Sequence, residues 1–376
     1  QMMVQLHVQE IDMSTFDTSN LENTSGGAPD FSQGLNVGGT DILTLVTPTE
    51  YHTGASEPSS PANGAVWYDG TDVLQYVNGG WYTLSVTAPL LYLGATAVIN
   101  LGRTKNLDYY TIQTAANAAD FGDLTVSRDG TGSASNRTIG VFYTGDVSGT
   151  SQTTIDYITF ATPGNATDFG DGIQGSQNSA GMSDGTYGVF GPLDGFFSYQ
   201  IVYITFATPG NSVDFGDPTS ARRYAGACSD GSRGVMAGGQ FFTPENTIDY
   251  ITIATPGNAT DFGDLTQTTV YLAGCSDATR GLFGGGQPAG SGYSNVISYV
   301  TIATPSNATD FGDLTVARYG LAAASDETRG TFAGGSASGG SSNVIDYVTI
   351  QTTGNATDFG DLTQTTNFKI SGTSGG

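Results

Sequence analysis

From residue 90 onward, apolar positions come in short runs that never settle into a helical period. "NVIDYVTIQT" (Asn343–Thr352) and "RGTFAGG" (Arg329–Gly335) are apolar with little alternation, as expected of strands covered on both faces. Between them lie small-residue runs such as "ARYGLAAASD" (Ala317–Asp326) and half-polar runs such as "ATDFGDLT" (Ala356–Thr363). Taken in order, these predict four short strands per unit, a to d, joined by tight turns rich in Gly, Asn and Asp. The 55 glycines, 19 tyrosines and 19 phenylalanines point the same way, towards strands and turns rather than helices.

The unit repeats. Asp-Phe-Gly-Asp begins at Asp120, Asp168, Asp214, Asp261, Asp310 and Asp358, at intervals of 48, 46, 47, 49 and 48 residues. That period suits four-stranded sheets arranged radially, which is a β-propeller. The first unit lacks strand a and is expected to open with strand b at "LLYLGATA" (Leu90–Ala97). After the last motif, "LTQTTNFKISGTSGG" supplies a surplus strand a. The fold class expected is therefore all-β: a six-bladed propeller over 90–376, its ring closed by the C-terminal strand. Closure removes the sheet edges that invite aggregation. Within the motif the Phe is expected to pack between sheets, the Gly to permit a bulge and the aspartates to bond nearby amides. A kinase reading of Asp-Phe-Gly fails because the Gly-rich loop, strand lysine and His-Arg-Asp loop are missing.

Glycine doublets at Gly238-Gly239, Gly285-Gly286 and Gly334-Gly335 are followed by a strand carrying Asp-Tyr (Ser298-Tyr299 after the second), an outer-strand aromatic, and Arg222 or Arg318 opening a unit. This order resembles the kelch repeat. The kelch Trp is replaced here by Phe262, Phe311 and Phe359, and the doublet is lost at Tyr143-Thr144 and Gly191-Pro192.

Residues 1–89 do not repeat. "PANGAVWYDGTDVLQYVNGGWYTLS" (Pro61–Ser85) predicts a small meander over 61–89, with turns at Asp69-Gly70 and Asn78-Gly79. Residues 1–60 are polar and irregular, a docking segment expected to order against a partner. The meander, with Trp67 and Trp81, resembles short modules of bacteriophage tail-fibre and other virion proteins, as do the "DYITIATPGNATDFGD" units. The resemblance implies a structural or adhesion component of a virion: a tail fibre, tail tip or nozzle, or capsid decoration. Its implied partners are other virion proteins, reached through residues 1–60, and a host surface glycan or receptor. A homo-oligomer within a symmetric particle is expected. The chain opens at Gln1 without a secretory signal, so a start after a cleavage or inside a longer product is expected.

Charge narrows the partners. Thirty-five acids against 11 bases give a net charge of −24, which repels phosphate, so no nucleic acid and no membrane are expected. Both histidines, His7 and His52, precede the repeats, so no His-based triad or metal centre is expected inside them, nor any cofactor. Turn-capping is the favoured role of the paired aspartates over Ca²⁺ binding. Asp230/Arg233, Asp277/Arg280 and Asp326/Arg329 are expected to pair locally across the a–b turns. Cys228 and Cys275, 47 residues apart, occupy equivalent places and predict small buried positions rather than a disulfide. Asn-x-Ser/Thr at Asn23, Asn136, Asn165, Asn258, Asn307 and Asn355 is mostly one repeat element counted again.

One asymmetry bears on function. The a–b and c–d turns hold their length, whereas the b–c loops differ in every unit, from "PLDGFFSYQ" to "QFFTPEN" and "QPAGSGYSN". In a propeller these loops share one face. Phe196, Phe197, Phe241, Phe242 and Tyr293 sit in them and either form a binding surface or fold back onto their own blades. The expected function is binding without catalysis. The alternatives are a free kelch-type module for protein or carbohydrate and, less favoured, a propeller enzyme such as a glycan hydrolase.

Overall fold

Short apolar runs separated by turns leave each strand a small area to bury, so sheets must pack face to face. The computed structural model describes residues 95–193, 199–290, 292–326, 328–366 and 369–375, with six short strands between 36 and 83. The chain separates into two compact units, Gln1–Ala88 and Pro89–Gly376. No helix occurs among the described residues.

The second unit is a six-bladed β-propeller. Blade 4 shows the plan, with strand a at Gly226–Ser229, b at Arg233–Ala237, c at Thr247–Thr252 and d at Thr260–Asp264, all antiparallel. Blades 2, 3, 5 and 6 repeat it, with inner strands Gly132–Ser135, Ala180–Ser183, Ala273–Ser276 and Ala322–Ser325. Inner strands touch one another in cyclic order, so strand a lies nearest the axis. Their Gly, Ala and Ser residues allow six backbones to crowd there.

Blade 1 joins the two ends of the repeat region. The C-terminal strand Ser371–Gly375 pairs with Thr96–Asn100, which pairs with Asn106–Thr111 and then Ala119–Asp123. The sequence had placed strand b at Leu90–Ala97, and the structure corrects this to Thr96–Asn100. The register explains the shift: Thr96 lies opposite Thr111 as Arg329 lies opposite Thr349, and Ala97 takes the crowded place of Gly330. Small size at that place, not the apolar run before it, sets the pairing.

The core lies between neighbouring sheets. Val235, Ile248 and Phe262 of blade 4 pack with Phe283, Val300 and Ile302 of the next blade. Each Asp-Phe-Gly-Asp phenylalanine is 3% exposed and meets the strand-c tyrosine edge to face, as Phe311 does Tyr299 at 6.0 Å. The motif glycines have φ of 143–149° beside a break in the c–d register, the bulge expected. A Cβ on Gly312 would sit 2.3 Å from the Gly354 carbonyl oxygen of the neighbouring blade.

The aspartates behave differently from expectation. The first of each motif is exposed, and it is the backbone amide of the second that is held. It donates to an Asn side chain from the next blade's c–d turn at 3.0–3.1 Å, for example Asp313 to Asn355 and, across the ring junction, Asp361 to Asn117. The expected local Asp–Arg pairs across the a–b turns form through the arginine backbone amides and not through the guanidinium groups. Asp230, Asp277 and Asp326 accept from turn amides, whereas Arg233, Arg280 and Arg329 lie over Tyr250, Tyr299 and Tyr347. The arginines also donate to carbonyls of the next blade, which gives the guanidinium more than a solvent-screened carboxylate would. Cys228 and Cys275 are free thiols, buried, and burial pushes both well above the usual thiol range.

In the first unit, Val66–Tyr68, Val73–Val77 and Gly80–Thr83 form the meander. Tyr51–Thr53, within the stretch read as irregular, adds to it in parallel. Most of residues 1–60, and with them the expected docking role, lie outside the described residues.

Candidate functional site

Two sets of connections meet on one face. In blades 2, 4, 5 and 6 the b–c loop is tied to the segment leading into strand a of its own blade. Arg223 bridges Gln240 in blade 4, Thr269-Val270 pairs with Gln287-Pro288 in blade 5, and Arg318-Tyr319 pairs with Ser336-Ala337 in blade 6. The variable loops are thereby brought to the rim of the axial opening.

Of the aromatics singled out in these loops, Phe196 and Phe197 lie outside the described residues. Phe242 is 85% exposed, Phe241 39% and Tyr293 38%. They do not fold back onto their own blades. Phe241 lies between Phe242 at 4.0 Å and Tyr199 of the preceding blade's loop at 5.4 Å. Tyr293 of blade 5 stacks on Tyr319 of blade 6, with centroids 5.5 Å apart and planes at 21°.

Nearer the axis the structure adds residues that sequence reasoning did not single out. Tyr224 stacks on Tyr271 at 4.3 Å, Tyr271 meets Tyr319 at 5.7 Å, and Tyr319 carries the row on to Tyr293. The Lys369 ammonium stands 4.9 Å from the Tyr224 ring and 5.9 Å from Tyr271, and Arg223 lies 4.7 Å over Tyr224. Burial, followed by the neighbouring Tyr224, pushes the Tyr271 hydroxyl above its usual range.

The backbone here is unusual. Gly130, Tyr224, Tyr271, Gly320 and Lys369 hold equivalent places before strand a and have φ of 66°, 68°, 57°, 66° and 47°. Their amides and carbonyls form a collar: Tyr271 donates to Tyr224, Gly320 to Tyr271, Ile370 to Gly320 and Gly130 to Lys369, at 2.8–3.2 Å. Glycine adopts this conformation freely, whereas a side chain there costs about 1–2 kcal/mol. Three blades nonetheless carry Tyr, Tyr and Lys. A signal was present in the sequence: "RRYAGA" and "TVYLAG" depart from "RYGLAA" at the Gly320 position.

At the collar is an axial cavity of about 90 Å³ lined by residues at or next to the start of all six inner strands. Its lining includes Thr131, Ser133, Asn178, Ser179, Ser371 and Lys369, and no carboxylate. Ser179 presents a buried Oγ without a hydrogen-bond partner. Further along the axis, Ser229, Ser276 and Ser325 each donate to the backbone of the preceding blade at 2.7–3.0 Å, and Ser135 donates to Ser374 at 2.6 Å. These hydroxyls spend their protons on blade-to-blade bonds.

Buried ion pairs brace the rim from behind. Arg128–Asp156, Arg222–Asp249 and Arg318–Asp346 are 2.7–2.9 Å apart with fully buried side chains. Arg128 and Arg222 also donate to the Thr144 and Gly238 carbonyls where their b–c loops begin. Each aspartate in turn accepts from a Thr of the inter-blade linker, Thr125, Thr219 or Thr315. Burial lowers the affinity of Arg128 and Arg318 for their protons, opposed by Asp156 and Asp346. Comparison with protein-family models and with curated proteins finds no match to the chain.

Proposed function

We propose that this chain is a non-enzymatic binding protein that uses the b–c loop face of its propeller for adhesion. The observation that carries the reading is the run of partly exposed aromatics, Tyr199, Phe241 and Phe242 on one side and Tyr293 with Tyr319 on the other. These rings link loops of neighbouring blades where the sheets have no need of them, and aromatics so placed are the usual anchors of interfaces. A hydrolase is disfavoured by the axial lining, which offers hydroxyls, an amide and an ammonium in place of the paired carboxylates glycoside cleavage uses.

The setting we propose is a bacteriophage particle, as tail fibre, tail tip or nozzle, or capsid decoration. It rests on the resemblance of Pro61–Ser85 and of the repeats to virion proteins, with residues 1–60 joining the chain to the particle. The free-module alternative retains a specific point in its favour, the tyrosine row at the axis. Two measurements test the reading. Native mass spectrometry of the full chain with its copurifying partners should give a fixed, symmetric copy number, whereas a monomer would favour the free module. Phe242→Ser should abolish adhesion to the host surface without moving Tm, and undiminished adhesion would overturn the loop-face reading.

A further inference from the structure

We propose that the loop face is covered by a second copy of this chain when no host surface is present, so that reversible face-to-face pairing of two propellers regulates adhesion. This inference rests on the loop-face reading and supplies the regulation of that face.

Three features point to a second copy. The first is where apolar surface lies. Among the described residues seven large apolar side chains are exposed, and six of them, Val126, Ile173, Phe241, Phe242, Tyr293 and Val316, stand in b–c loops or in the linkers from strand d to the next strand a. Both kinds of connection open onto the same face, because strands a to d alternate in direction. Only Val213 lies elsewhere, at the start of a strand d. Val126, Ile173 and Val316 are aliphatic and follow three different blades, so the apolar surface is spread around the ring. It suits a protein surface of matching width and not a single sugar.

The second is charge. The six outer motifs carry twelve aspartates and no base. The connections of the loop face, apart from the three arginines in buried pairs, carry four bases, Arg103, Lys105, Arg223 and Lys369. Against these stand four acids, Asp129, Asp146, Asp194 and Glu245, so the face is neutral on a body of net charge −24. Two copies therefore repel edge to edge and can meet loop face to loop face.

The third is self-complementarity. A two-fold axis in the plane of the ring, passing between blades 2 and 3 and between blades 5 and 6, sets blade 1 on blade 4 of the second copy. Ile173 and Val316, in the linkers entering blades 3 and 6, then lie on the axis and meet their own counterparts. The blade 1 loop carries Arg103 and the exposed Lys105 and no acid, whereas the blade 4 loop carries Phe241, Phe242 and Glu245 and no base. Each loop finds a partner of opposite character in the other copy, and the contact is made twice. Pairing of this kind covers Phe242 and Tyr293, so a paired copy adheres only after a host surface displaces its mate.

The test is sedimentation velocity of the full chain over a range of concentrations, in parallel with adhesion to the host surface. The chain should form a reversible dimer. Ile173→Ser and Lys105→Glu, both at exposed positions, should each weaken it about tenfold or more, whereas Val213→Ser should leave it unchanged. At concentrations where the wild type is dimeric, Ile173→Ser should adhere more strongly, chain for chain. A chain monomeric at every concentration, a dimer indifferent to Ile173→Ser and Lys105→Glu, a dimer weakened as much by Val213→Ser, or adhesion that does not rise in Ile173→Ser would overturn the proposal. If Phe242→Ser abolishes host adhesion while the chain stays monomeric, the pairing fails and the loop-face reading survives. If the chain pairs as stated but Phe242→Ser leaves adhesion intact, it is the loop-face reading that fails, and the regulatory role with it.

Discussion

Asn355 reaches across a blade boundary to take the amide proton of Asp313, while Ala356 donates back to the Asp313 carbonyl at 2.8 Å. The pair is repeated at every boundary, so a residue that looks like a glycosylation acceptor in the sequence is a latch in the structure. Asn355→Ala should cost about 1 kcal/mol, the usual net value of one such bond, measured by chemical unfolding. Gly312→Ala should cost more than that, because φ of +149° and a carbonyl oxygen 2.3 Å from the new Cβ both oppose it. Equal stability of the two variants would show that the blade boundary yields more readily than its geometry implies. The Phe and Gly roles in Asp-Phe-Gly-Asp were legible in the sequence because burial and bulge are local consequences of residue type. The Asn latch was not, because its partners are 42 residues apart and the motif itself gives no hint of which atom is held. The left-handed tyrosines were half-visible: the substitution of Gly320 by Tyr271 can be read by alignment, but the stacking of Tyr224 on Tyr271 requires the ring.

Blades differ in how they anchor strand c to the rim, and the difference sets two expectations. In blade 6 Arg318 and Asp346 are fully buried against each other, whereas blade 3 has Ser176 and Val202 at the same places. Arg318→Ser should therefore cost about 3–5 kcal/mol by leaving Asp346 buried without its partner. Adding Asp346→Val, to copy blade 3, should recover a large part of that loss. A double variant no better than the single one would mean that the pair, rather than the unpaired charge, carries the stability. Blade 1 has the aspartate without the arginine: Asp108 accepts from the Thr363 amide and hydroxyl at 2.7 Å, and Thr366 stands where the arginine would be. Burial raises Asp108 above its ordinary 3.8, against the opposing pull of Thr363, with Asp120 adding a smaller push upward. Because the folded value is the higher one, the folded state holds this proton more tightly. Its stabilising contribution is therefore complete below pH 3.8 and is lost as pH rises through the raised value. Unfolding free energies of wild type and Asp108→Asn across that interval should move in favour of the variant as pH increases. A shift the other way would show a carboxylate stabilised by its hydroxyl partner more than it is penalised by burial. Strand b of this same blade was misplaced from sequence for a related reason: Leu90–Leu93 outweighed Thr96–Asn100 in apolar character, and only pairing with Ser371–Gly375 shows which run belongs to the sheet.

At the scale of the whole ring, six blades were countable from the spacing of one motif, and closure from a strand missing at one end and present at the other. What the ring gains from closure is wider than one hairpin. Ser371–Gly375 supplies the inner strand of blade 1, and it also touches blade 2, where the Ser133 and Ser135 hydroxyls donate to the Gly372 and Ser374 carbonyls at 2.6 Å. On the other side, Ile370 donates to Gly320 of blade 6 and the Gly372 backbone lies against Ala323. A single five-residue strand thus holds three blades, and Lys369 lies just before it. Removing residues 370–376 should uncover the Thr96–Asn100 edge and the flanks of blades 2 and 6 together, and an exposed edge pairs readily with another chain. The shortened protein should aggregate on size-exclusion chromatography, or unfold over a broad range in place of one cooperative transition. A peptide of residues 369–376 added in excess should restore part of the cooperativity, since the missing element is a strand with a preformed slot. A shortened chain that stays monomeric with an unchanged Tm would mean that blade-to-blade packing alone holds the ring, and that the C-terminal strand serves the axial mouth instead.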